Sequence, residues 1–199
     1  MKRITDYLSY LPASEEPLSA DVFFITGQKK TYIFDVGASS EALEEIRRLT
    51  DFVVILSHFH EDHTANLRFL PQGRLYAGRE TIRHTGYGQE ISQHAFLNDG
   101  IALELIPFPS SHAKGCIAVN IEREYALLGD GIYAKSIGGK PAYTVSLLYE
   151  TIRVLKAMDT KYCLLSHDKK LIYTKEEVLA ELEVWYRKRE KNNPYIYLN

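Results

Sequence analysis

Four side chains able to bind a metal ion, His58, His60, Asp62 and His63, fall within six positions of the stretch Ser57-His58-Phe59-His60-Glu61-Asp62-His63. Neutral imidazole nitrogens and carboxylate oxygens both reach zinc at roughly 2.0–2.2 Å, so the mixed set suits zinc better than calcium or magnesium. Iron and manganese are the other metals that such donors take. On an extended segment residues two apart face one side, so His58 and His60 can approach one cation together. Asp62 and His63 lie where the chain turns toward a helix and can face a second. A solvated polar turn, or histidines used as helix caps, is the plainer reading, and it leaves this density of ligands unexplained. Three more candidates each follow an apolar run: His112 after 101–106, Asp130 after 125–128 and His167 after 162–165.

Those runs, with 22–25, 32–34, 52–56 and 117–121, are short and rich in β-branched or aromatic residues, which predicts strands. Helical spacing links Leu43, Ile46 and Leu49, then Leu148, Ile152 and Leu155, then Val178, Leu182 and Trp185, the last opened by a capping box of Thr174 and Glu177. Strands crowd the first part, where Gly27-Gln28-Lys29-Lys30 reads as a hairpin turn, and helices alternate with single strands later. Sheets packed together under outer helices follow, an α+β protein in which ligand-bearing strand ends converge on one edge. The segment 81–100, with Gly86, Gly88, Asn98 and Gly100, reads as irregular, either a wall beside the site or a surface loop.

At 199 residues, 45% of them apolar, the chain supports one core, and a single domain over 1–199 is expected. A net charge of −2 and an isoelectric point near 6.4 argue against the basic face that nucleic-acid binding needs. No stretch is long enough to span a bilayer, and polar residues interrupt any export signal near the amino terminus. The two cysteines, Cys116 and Cys163, sit in apolar runs and read as buried thiols, which points to the cytoplasm. The tyrosine-rich tail 194–198 is suited either to folding back or to packing on a second copy in a homodimer.

The pattern His58-x-His60-x-Asp62-His63, followed by His112, by Asp130 in Leu128-Gly129-Asp130 and by His167 in Leu165-Ser166-His167-Asp168, resembles the metallo-β-lactamase superfamily over about 21–188. Phe34-Asp35-Val36-Gly37 resembles its early acidic turn. The resemblance implies a four-layer αββα sandwich of two mixed β-sheets with outer helices. It also implies two divalent metal ions: His58, His60 and His112 would hold one, Asp62, His63 and His167 the other, and Asp130 would bridge them. Asp35 would orient a ligand from behind, although an aspartate bonded to its own turn fits that position nearly as well.

Paired cations lower the pKa of a shared water toward about 7, and Asp62 is the residue expected to orient that nucleophile and accept a proton. Among relatives the pattern is most similar to glyoxalase II and its kin, so a small carbonyl substrate is expected, a thioester first and a lactone or other ester second. A small-molecule phosphodiesterase, a single-iron thiol dioxygenase and a non-catalytic metal-binding or sensing protein are the alternatives. Lys114 and Tyr133, with Lys135 and Lys169, stand near predicted ligands and are candidate substrate contacts. Cys116 is left out of the metal set as a buried thiol, and His84 and His94 are assigned no chemistry.

Overall fold

The antiparallel strands Val22–Thr26 and Thr31–Phe34 are closed by a turn in which the Gly27 amide donates to the Lys30 carbonyl at 2.9 Å. Strand alternation sends Phe23, Ile25, Tyr32 and Phe34 to one face and Phe24 and Ile33 to the other, and both faces are buried. The next strand, Phe52–Leu56, repeats this with Val53 and Ile55 against Val54 and Leu56. A strand covered on both sides must be apolar throughout, which is why these segments read as continuous runs.

The computed structural model describes residues 1–198. Its seven-stranded sheet runs Lys2–Arg3, Leu8–Leu11, Val22–Thr26, Thr31–Phe34, Phe52–Leu56, Arg74–Ala77 and Gln89–Glu90 in spatial order, the last four parallel to one another. The six-stranded sheet runs Ala95–Asn98, Ala102–Pro107, Ile117–Ile121, Tyr125–Gly129, Tyr162–Leu165 and Ile172–Thr174, with a parallel pairing between Tyr125–Gly129 and Tyr162–Leu165.

Phe23, Phe34 and Ile55 of the first sheet meet Leu105, Val119, Leu127 and Leu164 of the second in the central layer of core. Helix Ser40–Arg47 packs Ala42 and Ile46 on the outer face of the first sheet. Helices Val145–Ala157 and Lys175–Arg187 cover the outer face of the second with Leu148, Ile152, Leu155, Val178 and Leu182. The result is the expected αββα sandwich of two mixed sheets. The capping box is in place, Glu177 N donating to Thr174 Oγ1 and Thr174 N to Glu177 Oε2.

One sequence expectation changes. The segment 81–100 is ordered into secondary structure: helix Arg79–Thr85 ends on Gly86 in the left-handed conformation (φ 76°), and strands Gln89–Glu90 and Ala95–Asn98 then edge the first and second sheets in turn. Its glycines cap a helix and permit a crossing between layers. They do not mark an irregular loop. The tail folds back, Tyr195–Tyr197 pairing antiparallel with Lys140–Thr144, which also pairs with Lys135–Ile137. Among the described residues no helix is long and apolar enough to cross a membrane.

Candidate metal centre

Parallel strands end on the same side, and here the ends of two sheets meet. Phe34 registers with Ile55, so Asp35 and Ser57 leave neighbouring strands together, and Ser57 N donates to Asp35 Oδ1 at 2.7 Å. Gly129 registers with Leu165, which brings Asp130 beside Ser166 and His167. The two sheets are tied at this rim by Ile117 N donating to Ser57 O at 2.9 Å. The loop carrying His112 hangs from the same end, between the paired residues Pro107 and Ile117.

All seven candidate ligands converge there, in two groups whose ligand atoms lie within 4.8 Å of one another: His58, His60 and His112; then Asp62, His63, Asp130 and His167. His112 Nε2 is 3.0 Å from His60 Nδ1. In the second group His63 Nε2 is 3.5 Å from both Asp62 Oδ2 and Asp130 Oδ1, and His167 Nε2 is 2.9 Å from Asp62 Oδ2. Asp130 faces both groups, its other oxygen, Oδ2, lying 3.3 Å from His112 Nε2.

Buried polar atoms are normally paired, because an unpaired one costs roughly 1–3 kcal/mol. His58 Nε2, His63 Nε2 and Asp130 Oδ1 are buried without a hydrogen-bond partner. A cation accepting their lone pairs removes that cost, and the nitrogen and carboxylate donors are those that divalent transition metals prefer. His112 Nδ1 is likewise unpaired, and nothing in the structure accounts for it.

Behind the ligands, Asp35 and Ser57 set the histidine tautomers. Ser57 Oγ donates to Asp35 Oδ2 at 2.7 Å and accepts from His58 Nδ1 at 2.9 Å, while His63 Nδ1 donates to Asp35 Oδ2 at 2.7 Å. Both rings therefore keep a proton on Nδ1, which leaves Nε2 as the nitrogen that faces the site and would be the metal donor. Asp35 bonds across to Ser57 and His63 and leaves its own turn, the other reading of this residue, without its side chain. Asp35 (φ 59°) and His167 (φ 62°) both hold the left-handed backbone that L-residues adopt rarely, a strain met most often at functional positions.

Asp21 is a positioning residue that the sequence reading missed. It is buried, and its Oδ2 accepts from His167 N at 2.9 Å while its own amide donates to Ser166 Oγ at 3.0 Å. An aspartate at the start of the apolar strand Val22–Thr26 was the only signal. Tyr133 clamps the same loop from the other side, its hydroxyl donating to Ser166 O at 2.6 Å. The phenol's proton is thereby committed to the backbone beside His167, which leaves its oxygen lone pair for any contact with substrate.

Two more devices fix the approach of the ligand loops. Gly129 adopts φ 53°, and a Cβ there would lie 2.8 Å from Ser57 Cβ and Oγ, so only glycine lets Asp130 come this close to the opposite sheet. The short helix Glu61–Thr64 is held by Ala20 N donating to Asp62 O and by Val36 N and Gly37 N donating to His63 O.

The electrostatics divide the two groups. Burial, then the facing imidazoles, pushes His58 far down; burial, then His112, also lowers His60. Burial also pulls on His63, but the Asp35 and Asp130 carboxylates outweigh it and hold it up at about 10. The hydrogen bond with Asp62 raises His167 against the pull of burial. For Asp62 burial acts upward, and its contacts with His167 and His63 prevail and lower it. His58 and His60 thus offer neutral lone pairs, and in the second group protons and cations compete for the raised histidines.

The remaining candidates separate cleanly. Cys116 is buried, its Sγ lies 3.3 Å from Ala113 O, and burial lifts the thiol to about 12, as expected of a structural cysteine. Lys114 is exposed, and Lys135 begins a strand of the three-stranded sheet. Lys169 lines a cleft of about 420 Å³ with Lys2, Tyr10, Asp21 and His167. His94 pairs with Glu104 at 2.7 Å, whereas His84 stacks on Phe59, inside the ligand segment.

Solved structures with the metallo-β-lactamase fold superpose on this chain over nearly its whole length. A metallo-β-lactamase from Pontibacter korlensis is 14% identical, with a TM-score of 0.70 over 94% of this chain and 98% of the other. An archaeal metallo-β-lactamase superfamily protein from Sulfolobus tokodaii is 16% identical, with a TM-score of 0.68 over 96% and 90%. A chemotaxis sensor captured as a peroxy diiron species is 13% identical, with a TM-score of 0.69 over 90% and 92%. Neither the family models nor the curated proteins give a match. At these identities the likeness establishes the fold, and the chain has the metallo-β-lactamase fold.

Proposed function

We propose that this protein is a metal-dependent hydrolase of a small carbonyl substrate, a thioester first and a lactone or other ester second, working with two divalent cations. The observation that carries the reading is the position of Asp130, with one oxygen toward each of two ligand groups and one of those oxygens buried without a partner. His58, His60 and His112 would hold one ion, Asp62, His63 and His167 the other, and Asp130 both. Bound there, such ions supply hydroxide at neutral pH and polarise the substrate's carbonyl oxygen. Zinc suits the donors best, with iron and manganese as alternatives.

The chain's own groups do the rest. Asp62, half-buried and held by His167 Nε2, has an oxygen aimed into the second group, where it orients the nucleophile and takes its proton. Asp35 and Ser57 keep Nε2 of His58 and of His63 turned inward, and Asp21 and Tyr133 hold the His167 loop. The cleft beside His167 receives substrate, and Lys169, on its wall, and the exposed Lys114 suit an anionic substituent. A glyoxalase II-like thioesterase is the subtype in best accord with this ligand set. The free buried thiols Cys116 and Cys163 fit a reducing compartment, in keeping with a cytoplasmic enzyme.

Elemental analysis of protein purified without added metal, run beside assays on a thioester, a lactone and a bis-aryl phosphate diester, tests the reading. Two transition metals per chain with thioester or lactone turnover, both reduced in Asp130→Ala, are expected. Turnover of the diester alone would move the protein to the phosphodiesterases. One iron with oxygen uptake, or metal without turnover, would overturn the hydrolase in favour of a dioxygenase or a sensor.

A further inference from the structure

A second groove of about 420 Å³ borders the ligand segment at Phe59, Glu61 and Thr64, on a different set of residues from the cleft beside His167. The helix Glu61–Thr64 explains its origin: residues three apart share a helix face, so Glu61 and Thr64 line the groove while Asp62 and His63 serve the metal groups. Its walls are Phe59, Leu67, Leu70 and Tyr87, with polar groups of Arg68, Gln72 and His84 at the lining as well. Phe59 joins groove and site, its ring standing edge-on to His60 with centroids 5.1 Å apart. His84 lies flat against Phe59 at 4.3 Å and 5°.

His84 is fixed in that pose by Nδ1, which donates to Glu80 O at 2.8 Å within its own helix. Nε2 makes no hydrogen bond among the described residues, and the residue is exposed. An exposed imidazole held flat on a phenyl ring gives the groove a preformed wall of π-surface, with a nitrogen lone pair at its edge. Flat apolar groups bind such surfaces, and a volume of this size is ample for one ring on a short linker.

We infer that this groove is the subsite for the acyl arm of the substrate, and that the arm is a flat apolar group such as an aryl ring. Phe59 and His84 are its specificity-determining residues. The inference rests on the hydrolase reading for its kinetics but not for its binding test.

Side-chain NMR of the protein, labelled at histidine and phenylalanine and titrated with phenylacetamide or with acetamide, reads the groove directly. Phenylacetamide is expected to shift His84 and Phe59, acetamide is not, and the shifts are expected to vanish in Gln72→Trp, which fills the groove from an exposed position. Equal or absent shifts with the two amides overturn the proposal. In kinetics, the preference for a phenylacetyl over an acetyl thioester is expected to be about tenfold in kcat/KM and to fall toward one in His84→Ala and Gln72→Trp. An unchanged preference in both variants also overturns it. Ring shifts without turnover of either thioester would sink the hydrolase and uphold the groove.

Discussion

Asp35 shows how much of the site's chemistry lies one layer behind the ligands. Its carboxylate accepts from Ser57 N, Ser57 Oγ and His63 Nδ1. In Asp35→Asn the new amide group donates where the carboxylate accepted, which favours the tautomer with the proton on His63 Nε2, facing the metal group. Affinity for the second ion, whose ligand His63 bonds Asp35 directly, should fall roughly 10–100-fold, measured by competition with a chromogenic chelator, and affinity for the first ion, reached only through Ser57, should fall less. Equal loss of both ions would count against this division of labour. His63 also predicts a proton count. Held at about 10 by Asp35 and Asp130 against the pull of burial, it is protonated at pH 7, so loading the second group must displace about one proton. Calorimetry in buffers of different ionisation enthalpy measures the number, and a value of zero would refute the assignment. The sign for stability follows. A histidine raised above its unfolded value near 6.5 stabilises metal-free protein fully below that pH, and the contribution fades as pH rises through about 10.

At the scale of elements, the site depends on strands that end together and on one glycine that lets them meet. Gly129 combines φ 53° with a 2.8 Å approach to Ser57, so Gly129→Ala carries a backbone strain of about 1–3 kcal/mol in addition to the clash. Because the displaced residue is the neighbour of Asp130, thermal stability and metal stoichiometry should fall together. A stable variant with two metals would show that the close approach is dispensable. The strands themselves were legible in the sequence, since both-face burial demands continuous apolar runs of a length that only strands supply. The segment 81–100 was not, because glycines that cap a helix and glycines in a loop look the same without neighbours. The pairing of Tyr195–Tyr197 with Lys140–Thr144 joins residues far apart in the chain, and no local pattern encodes it.

For the molecule as a whole, the ligands come from both sheets: His58 follows a strand of the first, while Asp130 and His167 follow strands of the second. Metal binding therefore bridges the two layers and should stabilise the fold as a unit. At a free metal concentration a thousandfold above Kd the linkage is about 4 kcal/mol, which for a chain of this size is a rise in Tm on the order of 10 °C. Differential scanning fluorimetry of chelator-treated protein, with and without added zinc, checks it. No concentration-dependent rise would argue that the two groups do not bind metal in the native state.

Residue types and local spacing were enough to nominate all seven candidate ligands, the strands that carry them and sheets packed under outer helices, because ligand chemistry and strand periodicity are properties of short stretches of chain; the four-layer αββα order came from the resemblance. Only the tertiary structure decided which side chains stand behind those ligands. Asp21 lies 146 residues from the His167 amide that it holds, and Tyr133 lies 33 residues from the Ser166 carbonyl to which its hydroxyl donates. His84 is the surface histidine that it read as, but only the structure shows it lying flat on Phe59. Hydrogen bonds and ring stacking across such separations act over a few ångströms of space, and the distance along the chain carries no trace of them.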